Sequence, residues 1–149
     1  GTGNNEPSVK GTIFGDGGVE LGAGTTSPGQ SRIALKGGTA LVAGDIVLSG
    51  WGVNATASTV AGNDSRCLII ITTSALDTPT ANPSIIITFK NGTWTASPFA
   101  VACMDSANTS GPLAPVGANA GATALTVMYI GTPTALLSRT YAFTYIVIG

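Results

Sequence analysis

Histidine is absent from this 149-residue chain, and charge is scarce. Lys, Arg, Asp and Glu together make up 9% of the residues, against roughly 25% in an average soluble domain. Without an imidazole, Ser-His-Asp and Cys-His chemistry and His-ligated metals are excluded. The few lysines and arginines are spread along the chain, and the formal net charge is -1. They form no basic patch, so binding nucleic acid by neutralising its phosphates is excluded too. No apolar run approaches the ~20 residues of a membrane-spanning helix, so no membrane insertion is expected. The opening residues, GTGNNEPSVK, lack the basic-then-apolar order of a signal peptide.

Cysteine is nearly absent as well. Cys67 and Cys103 each sit in an apolar run, RCLIII and FAVACM. They can form one disulfide between neighbouring strands or stand as two buried free thiols. So low a count suits folding in a reducing cytoplasm. Helical periodicity is the last absence. No stretch of eleven or more residues shows i, i+3, i+4 apolar spacing free of Gly or Pro.

What remains is glycine (21 residues), threonine in equal number, and 44% hydrophobic residues. Short β-rich runs alternate with turn residues: SVKGTIF, VELGAG, SRIALK, TALVAGDIVLSG, RCLIIITTS, PSIIITFK, PFAVACM, ATALTVMYI and TYAFTYIVIG. Gly37-Gly38 and Asn91-Gly92 are hairpin signals, because these residues accept the positive φ of two-residue turns. In the last run Tyr141, Phe143, Tyr145 and Val147 share one parity. The other parity turns apolar towards Gly149, which predicts that both faces are covered there. The prediction is an all-β protein, an antiparallel β-sandwich of jelly-roll-like form. Residues 1–38 read as a shaft-like connector and 39–149 as the sandwich. SALDTPTANP (74–83) and the stretch 104–121 are the long loops, and loops of that length carry function.

Low charge has a physical consequence. A surface of Thr, Ser, Asn, Gly and Ala packs well against copies of itself, so an oligomer is expected.

The candidate chemistry is thin. The carboxylates are Glu6, Asp16, Glu20, Asp45, Asp64, Asp77 and Asp105. Their spacing pairs no two for glycoside hydrolysis, and most lie beside Gly, Asn or Ser, where Asp forms turns. No catalytic residue and no enzyme activity is expected. Asp16-Gly17-Gly18 with Glu20 offers oxygens to a hard cation but lacks the repeated glycine-aspartate pattern, so a plain turn is the better reading and no metal or cofactor is expected. Trp51 and Trp94 are the aromatics able to stack on a sugar ring; the competing role for both is packing in the core or an interface. Asp105 and Asn108 lie in the long 104–121 stretch and join the two tryptophans as candidate ligand-binding residues. Asn54, Asn63, Asn91 and Asn108 begin Asn-x-Ser/Thr sequons, which arise readily in a Thr-rich chain.

The order of pieces from residue 51 onward resembles a known family. Trp51-Gly52 is followed by the turn Gly62-Asn63-Asp64 and the strand Ile70-Ile71-Thr72-Thr73. Next come Asn82-Pro83-Ser84-Ile85, Thr88-Phe89 and Asn91-Gly92-Thr93-Trp94. Pro98-Phe99-Ala100-Val101, Gly131-Thr132-Pro133 and the Tyr-rich strand Tyr141 to Gly149 complete it. This pattern resembles the C-terminal β-sandwich domain of bacteriophage tail fibres and tailspikes. The resemblance implies a homotrimer in the virion tail, assembled in the host cytoplasm. It also implies attachment to the bacterial surface through polysaccharide or lipopolysaccharide, without nucleic acid or a cofactor. The family carries no shared catalytic motif in this domain. The two cysteines depart from its pattern. The alternative class is a structural subunit of a viral shell or pilus-type assembly.

Overall fold

The structure, a computed structural model, describes residues 39–149 together with two short paired strands nearer the start. The chain divides into two compact units, Gly1–Leu35 and Lys36–Gly149. In the first, β1 (Thr12–Ile13) pairs antiparallel with β2 (Val19–Glu20). The shaft-like reading of 1–38, the SRIALK strand, the Gly37-Gly38 hairpin, Glu6 and the Asp16-Gly17-Gly18-Glu20 cluster lie outside the residues whose side chains are described.

The second unit is an antiparallel β-sandwich. A single 3-10 turn, Ala43–Asp45, leads into β3 (Ile46–Ser49). There follow β4 (Thr56–Asn63), β5 (Arg66–Thr72), β6 (Ser84–Thr88) and β7 (Phe99–Met104). The last three are β8 (Val116–Ala120), β9 (Ala124–Tyr129) and β10 (Thr140–Ile148). One sheet has the order β4-β5-β10-β7 and the other β3-β6-β9-β8. Hairpins β4-β5 and β8-β9 stay within a sheet, and the other five connections cross between sheets. Advancing every strand by four places in chain order turns the pairing of one sheet into that of the other. The sandwich is thus a topological duplicate with no repeat in its sequence.

Alternation explains the core. Cys67, Ile69 and Ile71 of β5 and Tyr141, Phe143, Tyr145 and Val147 of β10 point inward from one sheet. Ile85 and Ile87 of β6 and Leu125, Val127 and Tyr129 of β9 answer them from the other. Each such side chain contributes about 1.5–3 kcal/mol on burial. The central strands β5, β6, β9 and β10 carry the Ile, Val and Tyr that favour a pleated sheet. The edge strands β4 and β8 are TASTVAGN and VGANA, low in β-propensity. Their composition hides them, and β8 falls inside what reads in sequence as the loop 104–121. Only 105–115 is loop.

Three further expectations change. Asn91-Gly92 is no hairpin: it lies in the connection from β6 to β7, which crosses to the other sheet. The Asn91 side chain instead accepts from Thr39 N and donates to Asp64. The cysteines are both free, one buried and one exposed. Cys67 points into the core from β5 while Cys103 points outward from β7, with β10 between the strands. Opposite parity forbids their bonding. Finally, the outer parity of β10 is not covered at its end by the described residues, since Ile146 and Ile148 are exposed.

Candidate functional site

The registers bring the long connections together. Thr72 lies beside both Thr56 and Thr140, Ser84 beside Ser49 and Met128, and Val116 beside Tyr129. Segments 50–55, 73–83, 105–115 and 130–139 therefore emerge at one end of the sandwich. The opposite end carries the Asp64-Ser65 hairpin, the 121–123 turn and the 89–98 connection. The two loops singled out from sequence share the first end with two more that were not.

Asp77 bolts three of these loops together. Its Oδ1 accepts from Asn54 N at 2.8 Å and Asn54 Nδ2 at 3.3 Å, and its Oδ2 accepts from Ser74 N at 2.7 Å. Its carbonyl accepts from Leu136 N at 2.8 Å. Only 1% of Asp77 is exposed. Burial by itself raises a carboxyl pKa, but the donors Ser74 N, Asn54 N and Asn54 Nδ2 outweigh it. Asp77 accordingly sits below the ordinary carboxylate range. Gly52 is required beside it: a Cβ there would lie 2.5 Å from the Asp77 carboxyl carbon, and its φ is +114°.

Other contacts make the end rigid. Thr73 Oγ1 donates to Leu137 O and accepts from Arg139 N at 3.2 Å. Asn82 Oδ1 accepts from Gly131 N at 2.9 Å. The fourth loop is tied in through Ser110, whose N donates to Thr140 O and whose Oγ accepts from Thr140 N at 2.8 Å. Tyr141 Oη accepts from Thr134 N, and Tyr129 Oη donates to Pro112 O.

This end presents an aliphatic surface. Val53, Leu76, Leu113, Leu136 and Leu137 are exposed across the four loops. Leu136 has φ +56°, a left-handed conformation that costs a branched residue roughly 1–2 kcal/mol. Residues held this way cluster at functional surfaces. Asp105 and Asn108 stand on the same end, but bonded to each other. Asp105 Oδ2 accepts from Asn108 Nδ2 at 2.6 Å and Oδ1 from Ala107 N at 2.9 Å. The Asn108 side chain and Ala107 N hold the Asp105 carboxyl below its ordinary range.

The tryptophans fall elsewhere. Trp51 is 1% exposed, with ring centroids of Tyr141, Phe143 and Tyr129 at 5.2, 5.7 and 5.9 Å. Its Nε1 donates to Ser84 O. No face is left for a sugar, so Trp51 is a core residue beneath the loops rather than a stacking platform. Trp94 is half-buried at the opposite end, edge-on to Phe89 at 6.3 Å. The strand between puts it roughly 20 Å from Asp105. Of the four candidates, two share a surface. The residues that sequence reasoning missed are Asp77, Thr73 and Leu136. Their partners lie up to 66 positions away, and no local motif announces such bonds.

The carboxylates of this unit act as turn anchors. Asp45, Asp64, Asp77 and Asp105 each accept from backbone N–H groups. Among the described residues no group of three or more Cys, Asp or Glu side chains could hold a metal. No helix among them is long and apolar enough to cross a membrane. An open groove of about 590 Å³ lies beside the β4-β5 hairpin, lined by Ala40, Gly62, Asn63, Arg66, Cys67 and Tyr145 among others. Its chemistry is poor. Burial pushes the Cys67 thiol up to about 11, so it stays protonated at neutral pH. The Tyr145 hydroxyl is spent on Asn63 O. No family model, no curated protein and no solved structure matches this chain.

Proposed function

We propose that this chain is an oligomeric attachment domain of the phage tail-fibre or tailspike type, which touches the bacterial surface with its loop end. The observation that carries the reading is the bracing of four loops, three of them through Asp77, at one end of a low-charge sandwich. Loops fixed before contact lose little entropy on binding. Rigid loops on one end of a sandwich are a recurrent way to build a recognition surface. The exposed leucines suit the C–H faces of sugars, and the Asn108 amide and neighbouring hydroxyls suit their oxygens. The proposed partner is polysaccharide or lipopolysaccharide. Trp51 has no part in contact.

Immobilised lipopolysaccharide and capsular polysaccharide panels test the proposal. A specific preparation should retain the protein, and Leu136→Asp or Asn108→Ala should weaken retention at least about tenfold, which corresponds to 1.4 kcal/mol. Trp94→Ala, at the other end, should leave it unchanged. Retention indifferent to both loop variants would overturn the assignment.

A further inference from the structure

The outer faces of the two sheets differ, and that difference locates a second surface. The outward parity of the β4-β5-β10-β7 sheet contains Phe99, Val101, Ile146 and Ile148. Register places Ile148 beside Phe99 and Ile146 beside Val101. Phe99 is 86% exposed, Val101 72%, Ile148 62% and Ile146 49%. Together these four side chains offer on the order of 500 Å² of contiguous apolar surface, at the upper end for a monomer. Among the described residues Arg66 is the only ionic side chain on this face. The other sheet turns outward Ser49, Ser84, Thr88, Thr126 and Asn119, alternating with Val47, Ile86 and Met128.

We infer that the outer face of the β4-β5-β10-β7 sheet, centred on Val101 and Ile146, seats a second copy of this chain. The inference rests on the oligomeric reading above and specifies where the copies meet. Area supports it. Stable interfaces need about 800 Å² per partner, and Leu68, Ile70, Thr144 and Cys103 on the same face extend the apolar patch towards that size. Charge supports it as well. Interface cores are depleted of charge, and a face with a single guanidinium at its margin offers a strongly charged partner little to match. A copy with the same flat apolar face matches it. Three copies turned with this face towards a common axis, as a homotrimer requires, hide it from water on all three.

Size exclusion with light scattering on the full chain tests this. At micromolar concentration the wild type should have a multiple of the 14.7 kDa chain mass. Val101→Lys/Ile146→Lys should fall to one chain mass with an unchanged circular dichroism spectrum. Val47→Lys/Met128→Lys, on the other sheet, should leave the assembly intact. A second measurement needs no variant. Cys103 lies on this face, its Sγ 3.1 Å from Thr144 Oγ1, while buried Cys67 remains protonated at pH 8. Thiol labelling of the assembled wild type therefore reports Cys103 and should be slow beside a free cysteine peptide. Full-speed labelling, or assembly surviving the Val101/Ile146 variant, would refute this interface while leaving an oligomer standing. A monomeric wild type would sink the interface and the oligomer together.

Discussion

Each end of the sandwich is pinned by one buried aspartate, and the two aspartates are used differently. At the loop end both carboxylate oxygens of Asp77 and its carbonyl are bonded, to residues from three loops. At the hairpin end Asp64 spends only Oδ2, on Lys90 N, Asn91 N and Asn91 Nδ2. Its Oδ1 is buried and receives no hydrogen bond from the described residues. Lys90 and Asn91 are also exposed, so water can replace Asp64 as their acceptor. The comparison shows where a protein with few charges places them. Asp77 is a full cross-link that fixes a surface. Asp64 is a partial one that ties a hairpin to its neighbour.

Substitutions grade that contrast. Trp51→Ala should be the most damaging, at about 3–5 kcal/mol in urea unfolding, because it empties the aromatic cluster beneath the loops. Asp77→Ala comes next, at about 2–3 kcal/mol, because it removes three hydrogen bonds to a charged acceptor that join the 50–55 and 73–83 loops. Asp64→Ala should cost only about 1 kcal/mol, since it also removes an unbonded buried oxygen. Equal losses for the two aspartates would break the comparison.

The ends should also separate by pH. The Asp77 pKa is depressed in the fold, so its contribution is complete above the unfolded carboxylate value of ~3.9 and is lost as pH falls through the folded value. Asp77→Asn should flatten the acid limb of a stability-versus-pH curve. At the hairpin end the Cys67 thiol is raised from 9.0 to about 11 by burial. Its contribution is complete below 9.0 and fades as pH rises towards 11. Cys67→Ala should flatten the alkaline limb and leave the acid limb alone. The smallest effect is expected at Leu136. Leu136→Gly relieves the positive φ but loosens the unfolded chain, so stability should stay level or rise by up to about 1 kcal/mol. Glycan retention should nevertheless fall. A thermal melt beside the retention assay separates the two.

Much of the sandwich was readable because its central strands announce themselves. RCLIII, SIIIT, LTVMY and YAFTYIVI are rich in β-branched and aromatic residues, and in the last of them the period of two places the buried face correctly. The edge strands β4 and β8 were not readable, because Ala, Gly, Ser and Asn on a half-solvated edge look like loop, whereas the more apolar edges β3 and β7 were. Asn91-Gly92 misled because a hairpin signal describes a local turn. Whether the flanking runs then pair is settled by what the two sheets need. Of the candidate site, the loops were legible as the long stretches 74–83 and 104–121, the second running over β8, and Asp105 and Asn108 as members of it. Trp51 was legible as an aromatic between glycines, and its burial was not. Gly52 has no side chain because Asp77 occupies the space.

By itself the sequence determined the all-β class and the inward parity of the last strand. It also determined the shortage of charge that makes a self-adhesive surface expected. These follow from composition and from a repeat two residues long. Which loops share an end, which aspartate is a bolt, and which outer face stays greasy were decided only by the tertiary structure. Each depends on contacts between residues dozens of positions apart, and strand order, which no local pattern encodes, is what brings them within bonding distance.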